Sequence, residues 1–296
     1  MVKKMDLEDV RQAIEDELSD RLSRCGLMFR LFGRVKTVRS LAHKFQIKGE
    51  KYRSGRSKVQ DVIGLRIVLY FPDDVELLGM FFSFRNLVDA SVDNLAVDTF
   101  RPQRLNLVKR IPDHLVAPFQ AALPAEYADY IDATYEVQIR TIFSEGWHEV
   151  EHDMRYKCQD DWAGCDAESR ALNGIIASLE TAEYSMSSIF RELSLRNLEL
   201  GKYNSMLRNK LRIRLADDGF SDRVSSFLTV HPEVAEALFR MDRMVFLVTL
   251  LHHSSRIPLT YDNILFLANR FDIQNVEVMG MEDEATRQLL DRFVAS

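Results

Sequence analysis

The chain has 296 residues, 46% of them hydrophobic and 28% charged, with a formal net charge of −6. These values are ordinary for a soluble globular protein of one large domain or two modest ones. No apolar run approaches the length of a bilayer span, which excludes a helical membrane protein. The basic start MVKKMDLEDVRQ has no apolar segment behind it to make a secretory signal, so a cytoplasmic location is expected.

In chain order, residues 6–30 carry Leu7, Val10, Ile14, Leu18 and Leu22 at helical spacing, with acids early where the helix dipole favours them. They predict a leading helix within 1–32. A second helix is expected over 36–45, followed by a basic loop, GEKYRSGRS (49–57). DVIGLRIVLYF (61–71) is rich in β-branched residues and runs into Pro72-Asp73-Asp74, a strand and a turn. An amphipathic helix over 75–87 and a strand within 89–97 come next. RLNLVKRI (104–111) and TYEVQIRTI (134–142) read as further strands, separated by a proline-punctuated segment with some short helix. From 168 to 215 the pattern is almost continuously helical. Four or five short helices are expected over 216–296, divided at Asp217-Asp218-Gly219, His231-Pro232, Ile257-Pro258 and 269–272. The expected fold class is α/β (α+β): a mixed, mainly antiparallel sheet flanked by helices, with an all-helical C-terminal region.

The charge is unevenly spread. Between Arg30 and Lys58 stand ten Lys and Arg residues against one acid, Glu50, and Arg101, Arg104, Lys109 and Arg110 form a second cluster. Such a field reads either as a phosphate-binding surface or as a solvated basic helix face. Cys25, Cys158 and Cys165 lack C-x-x-C spacing, which argues against a disulfide framework and a structural zinc site.

HEVEH (148–152) is a formal match to the zinc-hydrolase pattern H-E-x-x-H, but nothing downstream offers the usual third-ligand spacing. In EVQIRT (136–141), alternation puts Glu136, Gln138 and Arg140 on one face of a strand. That is either a commonplace half-exposed strand or, with Asp61 and Arg66 on a neighbouring one, a magnesium–polyphosphate site. No P-loop and no G-x-G-x-x-G occurs.

Three segments together resemble the synthetase domain of the RelA/SpoT family, the alarmone synthetases that make (p)ppGpp. GRVKTVRSLAHKF (33–45) is similar to its donor-nucleotide segment, with Arg34, Lys36, Ser40 and Lys44 in place. QDVIGLRIVLYFPDD (60–74) resembles its D-x-x-G-x-R-I strand through Asp61, Gly64 and Arg66. YEVQIRTIFSEGWHEVEHDMRYK (135–157) resembles its E-V-Q-[IF]-R-T strand and W-x-x-x-E-H-x-x-x-Y-K helix. Here Glu136, Gln138, Arg140, Trp147, Glu151, His152, Tyr156 and Lys157 match. This last block is long and specific, and makes HEVEH a chance match.

The resemblance implies a nucleotidyltransferase-like domain over 33–160, a helical extension packing on it over 161–215, and a helical region of unknown role over 216–296. No hydrolase domain is expected ahead of Arg34. The tail stands open between an oligomerisation surface, a regulatory module and an antitoxin-like neutraliser; His252-His253 read as helix-face residues.

In that bacterial family, serving the stringent response, ATP donates its β,γ-pyrophosphate to the 3′-hydroxyl of GDP or GTP and AMP leaves. The resemblance implies that Asp61 and Glu136 hold Mg2+, with Glu136 also helping to deprotonate the hydroxyl. It assigns Arg34, Lys36, Ser40, Lys44 and Arg66 to ATP, and makes Phe100, Arg104, Asn106, Gln138, Arg140, Glu151 and His152 acceptor-side candidates. The family's G-Y-x-S-[LI]-H stretch, whose tyrosine stacks on guanine, is replaced by DTFRPQRLNLV (98–108). Its tyrosine falls at Pro102 and its histidine at Asn106. Three readings follow: an alarmone synthetase with a divergent acceptor loop; transfer to an adenosine nucleotide or the 3′ end of tRNA, whose backbone the second basic cluster would meet; or a non-catalytic relative that binds nucleotide or a partner.

Overall fold

A computed structural model describes residues 5–55, 57–83, 87–92, 105–253 and 256–295. The chain divides into two units, Met1–Asp20 with Phe29–Thr181, and Arg21–Met28 with Ala182–Ser296. Two helices, α1 (Leu7–Arg24) and α6 (Asp166–Glu199), begin in the first and end in the second.

The first unit is built on β1 (Phe29–Val35), β2 (Ile63–Leu69), β3 (Leu87–Val92), β4 (Leu105–Arg110) and β5 (Thr134–Thr141), in the order β1-β2-β5-β4-β3. Among these strands β2 and β5 are parallel, and the other three pairings are antiparallel. Parallel neighbours need a long crossover. Here α3 (Pro72–Ser83), β3, β4 and α4 (Asp113–Ala122) supply it.

Period-two alternation sorts the sheet into two unlike faces. Ile63, Leu65, Ile67, Leu107, Val137 and Ile139 are buried on one, and α3 packs there through Leu77 and Leu78. The other face carries the polar residues of β1, β2, β4 and β5. It is approached by α5 (Ile142–Glu151), which starts where β5 stops. Thr141 and Ser144 form a reciprocal capping box at that junction, each bond 3.1 Å. The cap leaves the helix no slack residue, so the aim of its first turn is tied to the strand.

Three elements differ from expectation. The leading helix stops at Arg24, and FRLFGRV, partly counted within it, is edge strand β1. The stop is Gly26, at φ +71, a conformation that ends a helix and that glycine adopts without strain. Gly33 permits the close fit of β1 under α1, because a Cβ there would strike the paired side chains of Arg11 and Glu15. Second, α2 (Val38–Arg53) runs through much of the expected basic loop. Its buried stripe continues through Leu41, Phe45, Gly49 and Tyr52, so packing outweighs the helix propensity lost at glycine. Third, Lys109 and Arg110 do not form one basic surface. Alternation turns Lys109 to the buried side, 4.6 Å above the Phe82 ring, and leaves Arg110 exposed.

The second unit is helical: after the end of α6 come α7 (Tyr203–Leu211), α8 (Asp222–Val230), α9 (Pro232–Arg240), α10 (Arg243–His252), α11 (Tyr261–Ala268), α12 (Val276–Gly280) and α13 (Glu284–Val294). The predicted breaks at 217–219, 231–232 and 257–258 fall between them, but 269–272 is no break: α11 runs on through a π-helical turn over Asn269–Ile273. Further breaks at Asp242 and Asp283 are side-chain caps, accepting from the Val245 and Thr286 amides. Among the described residues no helix is long and apolar enough to cross a membrane.

Candidate active site

Strand register assembles the polar face row by row. Arg34 of β1, Gly64 of β2, Glu136 of β5 and Val108 of β4 form one row across the sheet. Phe32, Arg66, Gln138 and Asn106 form the next. Residues matched in three separate segments are thereby brought together, with Gly64 carrying no side chain between Arg34 and Glu136.

The loop from β1 into α2 adds the first cluster. Lys36 donates to Asp61 Oδ2 at 2.5 Å and Lys44 to Oδ1 at 2.8 Å. Ser40 stands in the first turn of α2, where Thr37 caps it at 3.2 Å. Burial works to raise the Asp61 pKa, but both lysine hydrogen bonds and their charges outweigh it and hold the carboxyl below its usual range. For Lys44 burial opposes the charge, yet Asp61 prevails and its pKa is raised; for Lys36 burial prevails and its pKa is lowered.

A depressed carboxylate pKa adds stability that is present above the unfolded value, about 3.9, and is lost as pH falls through the folded one. The stability difference between wild type and Asp61→Asn is therefore expected to close on acidification below about pH 4 in urea unfolding. A gap unchanged down to the acid limit would contradict the ion-pair assignment.

The second cluster joins the sheet to α5. Arg66 Nη1 donates to Glu145 Oε1 and to Glu149 Oε1, each at 2.5 Å. Burial works against the Arg66 charge, but the two glutamates outweigh it and raise its pKa. Arg140, 3% exposed, donates from Nη1 to Glu145 Oε2 at 2.8 Å and from Nη2 to Gln138 Oε1 at 3.0 Å. Gln138 Nε2 in turn donates to Glu136 Oε1 at 3.3 Å. Asn106 Oδ1 is buried with no hydrogen-bond partner among the described residues.

The structure does not draw Glu151 and His152 into these rows. Glu151 accepts from Arg155 at 3.3 Å, while His152 meets Asp153 at 2.9 Å and stacks on Tyr156. Phe100, Arg101, Pro102 and Arg104 lie outside the described residues. Three residues on this face escaped the sequence reading: Glu145, Glu149 and Phe32, the last 53% exposed. Glu145 and Glu149 stand one turn apart on α5, a spacing that puts them on one helix face without saying which strand that face meets.

Asp61 and Glu136 are each carboxylates of the kind magnesium takes in small number, with its remaining ligands left to water and phosphate oxygens. Each Asp61 oxygen accepts one lysine N–H and keeps a further lone pair. Among the described residues no group of three or more His, Cys, Asp and Glu side chains is placed to hold a metal.

Residues 33–161 match the family model described as "Region found in RelA / SpoT proteins". The chain thus carries a RelA/SpoT region that contains every residue of both clusters. It is 27% identical over 134 residues to the GTP pyrophosphokinase YwaC of Bacillus subtilis, a match covering 43% of this chain and 58% of that relative. Two solved structures are also similar. Small alarmone synthetase 1 of Bacillus subtilis has a TM-score of 0.41 at 21% identity, covering 61% of this chain and 92% of its own. A GTP pyrophosphokinase family protein from Streptococcus pneumoniae has a TM-score of 0.44 at 20% identity, covering 62% and 94%.

Proposed function

We propose that residues 33–161 transfer the β,γ-pyrophosphate of ATP to the 3′-hydroxyl of a guanine nucleotide, making (p)ppGpp. The observation that carries this reading is the row that sets Arg34 beside Gly64 and Glu136, together with Asp61 just ahead of β2 holding Lys36 and Lys44. The match to the RelA/SpoT region and the name of the curated relative support it.

In this reading Lys36, Lys44 and Arg34 meet the ATP phosphates and Ser40 adds a hydroxyl donor at the start of α2. Phe32 presents an exposed ring beside Arg66 on which a base can stack. The acceptor oxygen attacks the β-phosphorus, the bond from the β-phosphorus to the α,β-bridging oxygen breaks, and AMP leaves with that oxygen. Glu136 takes the hydroxyl proton. Bound at Asp61 and Glu136, magnesium supplies charge neutralisation at the phosphate oxygens. The chain's own contribution is positioning and fixed charge, on which phosphoryl-type transfer mainly depends.

Asn106, standing where the family has histidine and in register with Gln138, favours a second reading: the same transfer to another acceptor, an adenosine nucleotide or the 3′ end of tRNA. One experiment separates them. γ-Labelled ATP and magnesium are offered with GDP, GTP, adenosine nucleotides and deacylated tRNA in separate reactions, with an Asp61→Asn, Glu136→Gln double variant as control. Label on GDP or GTP with the wild type alone is the expected result. Label on another acceptor selects the second reading, and ATP binding without transfer to any of them overturns both.

A further inference from the structure

Glu145 lies outside the motif positions that carry the family resemblance, yet the polar face converges on it. Its two oxygens are divided between two arginines, Oε1 to Arg66 and Oε2 to Arg140. Arg140 passes the restraint on to Gln138, and Gln138 to Glu136. The direction of this chain is forced by chemistry. A guanidinium only donates, so the Gln138 oxygen must face Arg140 and its NH2 must face the carboxylate of Glu136.

We propose that Glu145 is a positioning residue for pyrophosphate transfer, setting the orientation of Glu136 through Arg140 and Gln138. This rests on the reading of residues 33–161 as a pyrophosphotransferase. Three features make the relay effective. Arg140 is almost fully buried and the Glu145 side chain is 15% exposed, so solvent screens their pairing little. The capping box at Thr141 and Ser144 ties the first turn of α5, and hence Glu145, to β5. Gln138 and Glu136 are neighbours on one face of that strand, so a displaced Gln138 leaves Glu136 free to rotate away from the hydroxyl it must deprotonate. Glutamine at position 145 has a single acceptor oxygen and turns an NH2 toward one of the two arginines.

The test uses the full chain and four proteins: wild type, Glu145→Gln, Gln138→Met and the double variant. For each, kcat for transfer and the affinity for α,β-methylene-ATP, which binds but cannot donate, are measured, with thermal unfolding as the folding control. Glu145→Gln is expected to lower kcat roughly 10- to 100-fold, the scale of a misplaced reacting group. Analogue affinity should stay within about threefold, the signature of a loss made in the transition state. Gln138→Met should fall similarly, and the double variant should be no slower than the slower single one, because both break the same chain.

An unchanged kcat in Glu145→Gln, losses that multiply in the double variant, or an effect confined to analogue affinity would each overturn the proposal. If Glu145→Gln melts early, Gln138→Met carries the test alone, since it leaves both arginine pairs of Glu145 in place; wild-type kcat there overturns it. A wild type that transfers to no acceptor sinks the functional reading and this inference with it. An active wild type matched by Glu145→Gln sinks the inference alone.

Discussion

Glu136→Gln and Asp61→Asn are each expected to lower pyrophosphate transfer by at least about 100-fold, the scale of losing one fixed charge-stabilising group at a reacting centre. The two arrive at that loss differently. Glutamine at 136 keeps an oxygen that can accept from Gln138 Nε2, so the local hydrogen bond survives. The charge and the capacity to take a proton do not. Asparagine at 61 can accept from one lysine but turns its NH2 toward the other, leaving Lys36 and Lys44 as uncompensated like charges at one end of the sheet. Asp61→Asn should therefore lose stability at neutral pH as well as activity, whereas Glu136→Gln should lose activity with a melting midpoint close to wild type. Steady-state transfer and urea unfolding on both variants check this. Transfer within tenfold of wild type in Glu136→Gln would contradict the role given to that carboxylate.

The second large effect is on folding. Phe119 of α4 is fully buried, and truncation to alanine removes a ring from the core of the unit that holds the sheet. Phe119→Ala is expected to cost about 3–5 kcal/mol, lost transfer energy plus the cavity left behind. Phe32, on the open face of the same sheet, provides the contrast: Phe32→Ala should stay within about 1 kcal/mol of wild type. The pair asks whether the open face of the sheet differs from the core as their burial indicates. Equal losses would mean that the polar face is as closed as the core and would remove the surface on which a nucleotide is proposed to lie.

What was legible in the chain was its local chemistry. The β-branched run of β2, the alternation of β5 and the cap-to-helix passage after it are written in consecutive residues. So is the placement of Glu136, Gln138 and Arg140 on one face, which strand pleat alone dictates. The edge strand was not legible, because Arg30 and Arg34, four residues apart, look like one face of a basic helix until β2 pairs with them. The length of α2 was hidden by Gly49, whose buried position matters only once Phe45 and Tyr52 have something to pack against. Glu145 and Glu149 were missed for a related reason. Their partner Arg66 lies 79 and 83 residues away in the chain, and register across a parallel pairing, not local pattern, brings them together. The acceptor side carried the weakest signal. The residues that depart from the family pattern are those of 98–108, and Asn106 is the one candidate of that stretch that the described structure places on the polar face.

The most direct test of the central claim is the identity of the products made from ATP labelled separately at the α- and γ-phosphorus. Pyrophosphate transfer predicts α-label in AMP, γ-label on the acceptor, and one AMP formed for each acceptor that gains two phosphates. ADP or free phosphate as the labelled product, with the acceptor unchanged, would show ordinary phosphoryl chemistry and contradict the account.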